Sequence, residues 1–194
     1  LEVGLGYPTA VTVASRSPEA AARAQELFQT EYFRVYTTAD VRGVELGGAL
    51  KNVVAIASGV VDGLGFGHNT KAALITRGLA EITRLGVALG ADPLTFAGLA
   101  GMGDLILTCT GGLSRNRSVG VELGKGRPLD EVLGEMVMVA EGVRTAKSAW
   151  QLARKMDIEM PIVDEVYAML YEGRDAKDAM ETLMMREPKA EQWA

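Results

Sequence analysis

The sequence of 194 residues predicts a mainly α-helical protein that begins with a short α/β segment. Two short runs rich in β-branched residues, 9–14 (TAVTVA) and 33–38 (FRVYTT), are typical of strands. From Val41 onward strand signals nearly vanish and helical periodicity dominates. We therefore predict two units, residues 1–42 and residues 43–194.

The first unit has the order strand, helix, strand. Ser17 is suited to cap the helix, Pro18 to occupy its first position, and strong helix formers follow. One such unit cannot cover both faces of a parallel sheet, so we predict that it is the last piece of a larger nucleotide-binding domain of the Rossmann type. The G-x-G-x-x-G fingerprint of such domains is not found at this start, and residue 1 is Leu rather than Met. We expect the chain to begin inside a longer parent protein.

The second unit reads as a series of helices joined by short connections. Residues 46–61 contain only three polar side chains, Lys51, Asn52 and Ser58, which predicts a helix buried on nearly all sides. Asn69 is expected to cap a long amphipathic helix that ends at Gly90. Pro93 opens a short helical turn, and further helices are predicted over 114–124, 129–136, 144–156, 162–172 and 176–186.

Composition and charge exclude several classes of function. A net charge of −5 provides no overall basic field for nucleic acid or an anionic membrane. With one cysteine, Cys109, and one histidine, His68, a Cys/His zinc site is not available, and we predict no metal. The longest uncharged run, residues 3–15, is shorter than the roughly 18–20 apolar residues that cross a membrane. We predict no membrane span, no secretory signal and a cytoplasmic location.

Lys51 is the first candidate for chemistry, because it is an amine inside an apolar helix. Burial disfavours the charged form of such an amine and allows proton exchange near neutral pH. The alternative is a lysine whose stem lies along the helix while its head reaches water. Eighteen of the 23 glycines lie in residues 43–126, among them Gly47 and Gly48, one turn before Lys51. They indicate either close approach of a ligand or helix, or simple loop content.

Two further groups have open interpretations. Asp104 stands between Gly103 and an apolar run, where a helix cap is an alternative to a chemical role. Residues 114–117 (SRNR) are expected at a helix start, where hydroxyl, guanidinium and amide groups can bind phosphate, although a solvated cap has the same composition. We assign no role to His68 or to Cys109, and we predict that four late carboxylates are solvated: Asp164, Glu165, Asp175 and Asp178.

Several blocks together resemble the NAD(P)-dependent glycerol-3-phosphate dehydrogenases of the bacterial type. The first is 45–55 (ELGGALKNVVA), followed in the family's order by 62–73 (DGLGFGHNTKAA), 98–105 (GLAGMGDL), 114–117 (SRNR) and 140–142 (AEG). The resemblance covers essentially the whole chain. It implies a helical C-terminal domain like that of 6-phosphogluconate dehydrogenase, preceded by the α/β remnant.

The resemblance also implies an activity and a set of site residues. The family interconverts sn-glycerol 3-phosphate and dihydroxyacetone phosphate with NAD or NADP, which links it to phospholipid biosynthesis. Lys51 matches the general acid/base and also contacts the substrate. The other matching substrate positions are Asn52, Asp104, Thr108, Ser114, Arg115 and Asn116, and the matching cofactor positions are Arg115, Val139 and Glu141.

Other interpretations stay open at this point. Ketopantoate reductases and 6-phosphogluconate dehydrogenases share the layout, and a non-catalytic helical assembly fragment is a different class. We expect this chain to be inactive by itself, because the fingerprint that holds a dinucleotide is absent. We also expect a homodimer or a higher oligomer, since an unfinished parallel sheet leaves an open edge and an apolar face.

Overall fold

The computed structural model describes residues 2–136, 138–188 and 190. After a short 3₁₀ turn, Val3–Leu5, strands β1 (Thr9–Ala14) and β2 (Phe33–Thr38) pair in parallel, with helix α1 (Pro18–Phe28) between them. The register joins Thr9 to Phe33 and Ala14 to Thr38. Ser17 caps α1 as predicted, because its hydroxyl accepts the Ala20 N–H at 3.1 Å. Both strand predictions and the first helix are confirmed.

The rest of the described chain is helical, which confirms the predicted fold class. A π-helical turn, Leu99–Gly103, precedes α5. The helices in chain order are α2 (Val41–Gly63), α3 (His68–Ala88), α4 (Pro93–Ala97), α5 (Asp104–Thr110), α6 (Arg115–Gly124), α7 (Leu129–Glu135), α8 (Glu141–Lys155), α9 (Pro161–Tyr171) and α10 (Ala176–Met184).

The starts of α2, α3 and α8 differ from the sequence-based prediction by more than one residue. Helix α2 begins at Val41, five residues before the predicted helix at 46–61. Helix α3 begins at His68 after Gly67, and no side chain caps it, so the predicted cap at Asn69 is wrong. Helix α8 begins at Glu141, three residues before the predicted start. The Gly142 N–H is accepted by Asn116 Oδ1, which lies 26 residues earlier in the chain. A cap supplied from so far away leaves no local signal in the sequence.

Helix α2 is the centre of the bundle and packs against α3, α5, α6 and α8. Val53, Ile56 and Val61 are 0% exposed. Among the described residues α2 is long and apolar enough to cross a membrane, with a mean hydropathy of 1.4, contrary to our expectation that no segment qualifies. However, 61% of the 18-residue apolar stretch within α2 is buried inside the protein. Its composition is therefore that of a core helix.

Glycines bring α2 and α6 into backbone contact. A Cβ atom on Gly59 would collide with the Arg117 carbonyl oxygen and lie 2.8 Å from the Val121 nitrogen. A Cβ atom on Gly120 would collide with the Ile56 carbonyl oxygen and lie 2.8 Å from its carbonyl carbon. The close approach of the two helices therefore requires glycine on both sides.

The end of β2 is tied to the helical unit by Asp40. Its carboxylate accepts hydrogen bonds from Gly43 N at 2.9 Å, Asp92 N at 2.9 Å and Thr95 Oγ1 at 2.7 Å. Partial burial acts to raise the pKa of Asp40, but these hydrogen bonds outweigh it and hold the pKa below its usual value. The division at residues 42 and 43 stays a prediction.

Candidate active site

Lys51 and Asp104 form an ion pair between α2 and α5. Lys51 Nζ contacts Asp104 Oδ2, and the two side chains are 21% and 33% exposed. Asp104 is the first residue of α5, but no side-chain capping bond is made at this helix start. Its carboxylate therefore faces the lysine and does not cap the helix. Thr108 lies one turn later and donates its hydroxyl to the Asp104 main-chain oxygen at 2.6 Å.

The space beside Lys51 is open on one side. A Cβ atom on Gly48, one turn before the lysine, would meet nothing within 4 Å. Gly47 has a different environment, since a Cβ atom there would lie 2.8 Å from the Ala100 carbonyl oxygen of the π-helical turn. One of the two glycines therefore permits backbone packing, and the other leaves room for a ligand.

An amide network connects Asn52, the neighbour of Lys51, to α6 and α8. Asn116 Nδ2 donates to Asn52 Oδ1 at 2.9 Å, and Asn116 Oδ1 accepts the Gly142 N–H at 2.9 Å. Asn116 is 8% exposed, so a side chain without these partners would carry a desolvation cost. The network fixes the relative position of three helices around the lysine.

Ser114 and Arg115 stand at the start of α6. Ser114 is the cap, and its hydroxyl accepts the Arg117 N–H at 3.2 Å. Arg115 is exposed, and its Nη1 donates to the Val139 carbonyl oxygen at 3.3 Å. Val139 and Glu141, the other predicted cofactor positions, are exposed on either side of the buried Ala140. The structure thus brings Arg115 to the segment that contains both.

Arg117 is engaged away from this group. Its Nη2 pairs with Asp62 Oδ2 at 2.8 Å, and Lys71 contacts the other oxygen of the same carboxylate. Burial acts to raise the pKa of Asp62, but hydrogen bonds from Lys71 and Arg117 hold it below its usual value. This cluster ties the end of α2 to α3 and α6.

The other titratable groups give mixed outcomes. Cys109, to which we assigned no role, is 0% exposed, and burial raises its pKa to about 12. The prediction of solvated carboxylates is wrong for Asp164 and Glu165, because burial raises the pKa of both. Glu165 is 9% exposed and pairs with Arg174 Nε at 2.9 Å. No group of three or more His, Cys, Asp or Glu within the described ranges could hold a metal ion.

Comparison with known protein families places this helical unit among the C-terminal domains of dehydrogenases. The chain belongs to the family described as NAD-dependent glycerol-3-phosphate dehydrogenase C-terminus, whose model matches residues 40–181. This match supports our main interpretation over ketopantoate reductase and 6-phosphogluconate dehydrogenase.

Curated relatives that align with nearly the whole of this chain are named glycerol-3-phosphate dehydrogenase. Proteins named glycerol-3-phosphate dehydrogenase [NAD(P)+] from Citrifermentans bemidjiense and Geobacter sulfurreducens are 66% and 64% identical over 190 and 192 residues. These alignments cover 98% and 99% of this chain and 57% of each relative, so the chain spans little more than half of their length.

Solved structures agree with the fold. The crystal structure of glycerol-3-phosphate dehydrogenase from Coxiella burnetii superposes with a TM-score of 0.92 at 43% identity, over 95% of this chain and 57% of that one. The structure of the Saccharomyces cerevisiae glycerol-3-phosphate dehydrogenase gives a TM-score of 0.84 at 31% identity, over 94% and 56%.

Proposed function

We propose that this chain is the substrate-binding and catalytic half of an NAD(P)-dependent glycerol-3-phosphate dehydrogenase. The observation that carries the proposal is the Lys51–Asp104 pair, which lies one helical turn from the open space at Gly48. The family match and the names of the relatives support the same reaction. In it, sn-glycerol 3-phosphate and NAD(P)⁺ give dihydroxyacetone phosphate, NAD(P)H and a proton.

Lys51 is the proposed acid/base of this reaction. When the C2 ketone is reduced, negative charge develops on its oxygen, and the Lys51 ammonium donates a proton there. In the reverse direction the neutral amine accepts the hydroxyl proton. A positioned proton donor of this kind contributes roughly 10²–10⁴ in rate, and its charge also stabilises the developing alkoxide. Asp104 holds Lys51 Nζ in place through the ion pair.

The start of α6 is the proposed phosphate side of the substrate. Arg115 is an exposed guanidinium, a group that matches phosphate geometry with two parallel N–H donors. Ser114 stands beside it at the helix N-terminus, where main-chain N–H groups favour an anion. Asn116 uses its oxygen and one N–H in bonds to described residues, and we assign its second N–H to a substrate oxygen. The Thr108 hydroxyl donates a hydrogen bond to the Asp104 main-chain oxygen, and its own oxygen can still accept a hydrogen bond.

The residues near Arg115 fit one end of a dinucleotide. Val139 offers an exposed apolar surface, and Glu141 offers a carboxylate that can accept hydrogen bonds from hydroxyl or amide groups. Arg115, Val139 and Glu141 would hold NAD or NADP from the side of the helical unit. The bound nicotinamide supplies or accepts the hydride that is transferred at C2.

Steady-state kinetics of the full-length enzyme that contains this chain test the proposal. Lys51→Ala should lower kcat with dihydroxyacetone phosphate by about 10²–10⁴, because the proton donor is lost while the fold remains. Lys125→Ala is the matched control, since that lysine directly follows α6, its side chain is 54% exposed and it pairs with Glu122 at 2.7 Å. A Lys51→Ala enzyme with near-normal turnover would remove Lys51 from the mechanism.

The chain by itself provides a second test. We propose that its 194 residues bind neither NADH nor NADPH at micromolar concentration and that they associate into a dimer or a higher oligomer. Calorimetric titration and light scattering measure the two properties. Micromolar dinucleotide binding, or a monomer at every concentration, would contradict the corresponding part. A cytoplasmic location and a role in phospholipid biosynthesis belong to the same proposal for the whole enzyme.

A further inference from the structure

The start of α8, residues 138–143, is held by side chains from two other helices. Arg115 Nη1 donates to Val139 O at 3.3 Å, and Asn116 Oδ1 accepts the Gly142 N–H at 2.9 Å, both from α6. From α9, Tyr171 Oη donates to Val143 O at 2.8 Å. Arg115 and Asn116 belong to the predicted site, whereas nothing in the sequence singled out Tyr171.

Residues 138–143 are held mainly by contacts from other helices, because the segment has no side-chain cap and its first two residues are largely exposed. Ala140 occupies the cap position of α8 and makes no side-chain capping bond. Met138 and Val139, which precede it, are 60% and 61% exposed and bury little apolar surface. The position of Glu141 in the first turn therefore depends on the contacts made by its neighbours.

Aromatic packing fixes the ring of Tyr171. Trp150 of α8 stacks on Tyr167 of α9 with 4.0 Å between ring centroids, and Tyr167 stacks on Tyr171 at 5.1 Å. Lys147 Nζ lies 5.6 Å from the centroid of the Tyr171 ring. Val143, Lys147 and Trp150 share one face of α8, since they are spaced by four and three residues. The stack thus runs along α8 and ends with the Tyr171 hydroxyl at Val143.

We propose that Tyr171 is a positioning residue for the dinucleotide side of the active site. By holding Val143 O, it keeps the first turn of α8 in place and so orients Glu141 and Val139. This inference rests on the proposed function, because the cofactor role of Glu141 and Val139 belongs to it. Tyr171 acts through the main chain of α8 and does not itself contact the reacting atoms.

The test uses Tyr171→Phe in the full-length enzyme, a change that removes the hydroxyl and keeps the aromatic ring. One neutral hydrogen bond corresponds to a factor of about two to ten in an equilibrium, so KM for NADH or NADPH should rise by about that factor. KM for dihydroxyacetone phosphate should change less, by under about twofold, because the removed hydroxyl lies on α9 and the Lys51–Asp104 pair joins α2 to α5. Hydrogen exchange of a peptide covering residues 138–146, measured without nucleotide, should become faster.

Tyr167→Phe is the matched control, because it removes a hydroxyl from the same aromatic stack. The three hydrogen bonds described above to residues 138–143 come from Arg115, Asn116 and Tyr171, and the Tyr167 hydroxyl takes part in none of them. It should leave both KM values and the exchange rate unchanged. Unchanged exchange in Tyr171→Phe would overturn the proposed support of α8. Faster exchange with an unchanged dinucleotide KM would overturn its link to the cofactor.

These outcomes differ from a failure of the proposed function itself. In that case the unsubstituted enzyme would not turn over dihydroxyacetone phosphate at all, and the positioning role for a cofactor would fall with it. The exchange measurement needs no turnover, so it still decides whether Tyr171 supports the start of α8. An equal rise of both KM values would also overturn the proposal, because it would indicate a general loss of structure.

Discussion

Two glycines of α2 differ in what they leave room for. In the first half, a Cβ atom on Gly48 would meet nothing within 4 Å, one turn from Lys51. In the second half, a Cβ atom on Gly59 would collide with the main chain of α6 at Arg117. The same residue type opens a surface in one place and allows two helices to touch in the other. Only the neighbouring element distinguishes the two uses.

Two carboxylates show a similar contrast, one in the partly exposed pair with Lys51 and one in the protein interior. The Asp104 side chain is 33% exposed and pairs with Lys51. Glu81 of α3 is only 3% exposed, and its two oxygens accept the N–H groups of Ile162 at 2.8 Å and Val163 at 3.2 Å. Burial raises the pKa of Glu81 to about 8. One carboxylate thus pairs with the candidate catalytic lysine, and the other holds the start of α9.

Adding a methyl group to the α2–α6 contact should have the greatest consequence. Gly120→Ala places a Cβ atom against the Ile56 carbonyl group, and overpacking of this kind should cost about 3 kcal/mol or more in the free energy of unfolding. Gly134→Ala is the control, because a Cβ atom on that α7 glycine meets nothing within 4 Å. Urea unfolding measures both. Equal stability of the two variants would show that the helices can separate without cost.

Glu81 should make stability depend on pH. Its pKa lies near 8 in the folded state against 4.5 for an ordinary glutamate, so between these values the folded state holds a proton that the unfolded state has lost. The free energy of unfolding should therefore fall as pH rises through this window, by up to about 1.4 kcal/mol per pH unit. The contribution is complete below pH 4.5 and lost above pH 8.

Glu81→Gln removes this proton while it retains a carbonyl acceptor for one N–H group. Thermal unfolding of both proteins from pH 5 to pH 8 should show a steeper decline in the Tm of the unsubstituted protein. Asp164 and Glu165, whose pKa values are also raised, are present in both proteins, so the difference between the two curves reports chiefly on Glu81 and its interaction with Asp164. Parallel curves would mean that Glu81 does not titrate in this range.

Gly48→Ala should lower activity without lowering stability, because Gly48 borders the open space beside Lys51. Alanine is favoured over glycine in a helix by about 1 kcal/mol, so the variant should be at least as stable. The new methyl group would enter the open space one turn from Lys51, and kcat/KM for dihydroxyacetone phosphate should fall by about tenfold, equivalent to about 1.4 kcal/mol. An unchanged kcat/KM would show that the substrate does not use this space.

Arg115→Lys should have the mildest effect. Lysine keeps the charge but loses the planar pair of donors, so KM for the substrate and the dinucleotide should each rise by a few fold. Arg23→Lys on the exposed surface of α1 is the control. Unchanged KM values for both ligands would exclude Arg115 from phosphate binding.

Local signals predicted much of the fold. The alternation of short β-branched runs with a capped helix located β1, α1 and β2, because Ser17 and Pro18 act within one turn of the helix that they begin. The apolar run around Lys51 predicted α2 for a similar reason, since a helix buried on most sides must be apolar on most sides. The roles of the site residues stay predictions, although the structure brings Lys51 to Asp104 and Arg115 to Val139.

Features that depend on distant partners escaped prediction. The start of α8 is capped by Asn116 from α6, and Glu165 was expected in solvent but pairs with Arg174 in a largely buried position. Glu81 drew no attention, because a glutamate in an amphipathic helix is ordinary until its partner is known. The apolar length of α2 is compatible with a membrane or a core, and the surrounding helices decide between them.

Helix and strand identity follow from residues within a few turns of one another, because propensity and capping act locally. The family and the candidate lysine follow from motifs that keep their order and spacing along the chain. The purpose of each glycine, the partner of each carboxylate and the support of α8 by Tyr171 depend on which helices meet. Those contacts form only when the chain packs. Burial then changes the energetic cost of every unpaired charge and every added methyl group, and that cost has no counterpart in local sequence.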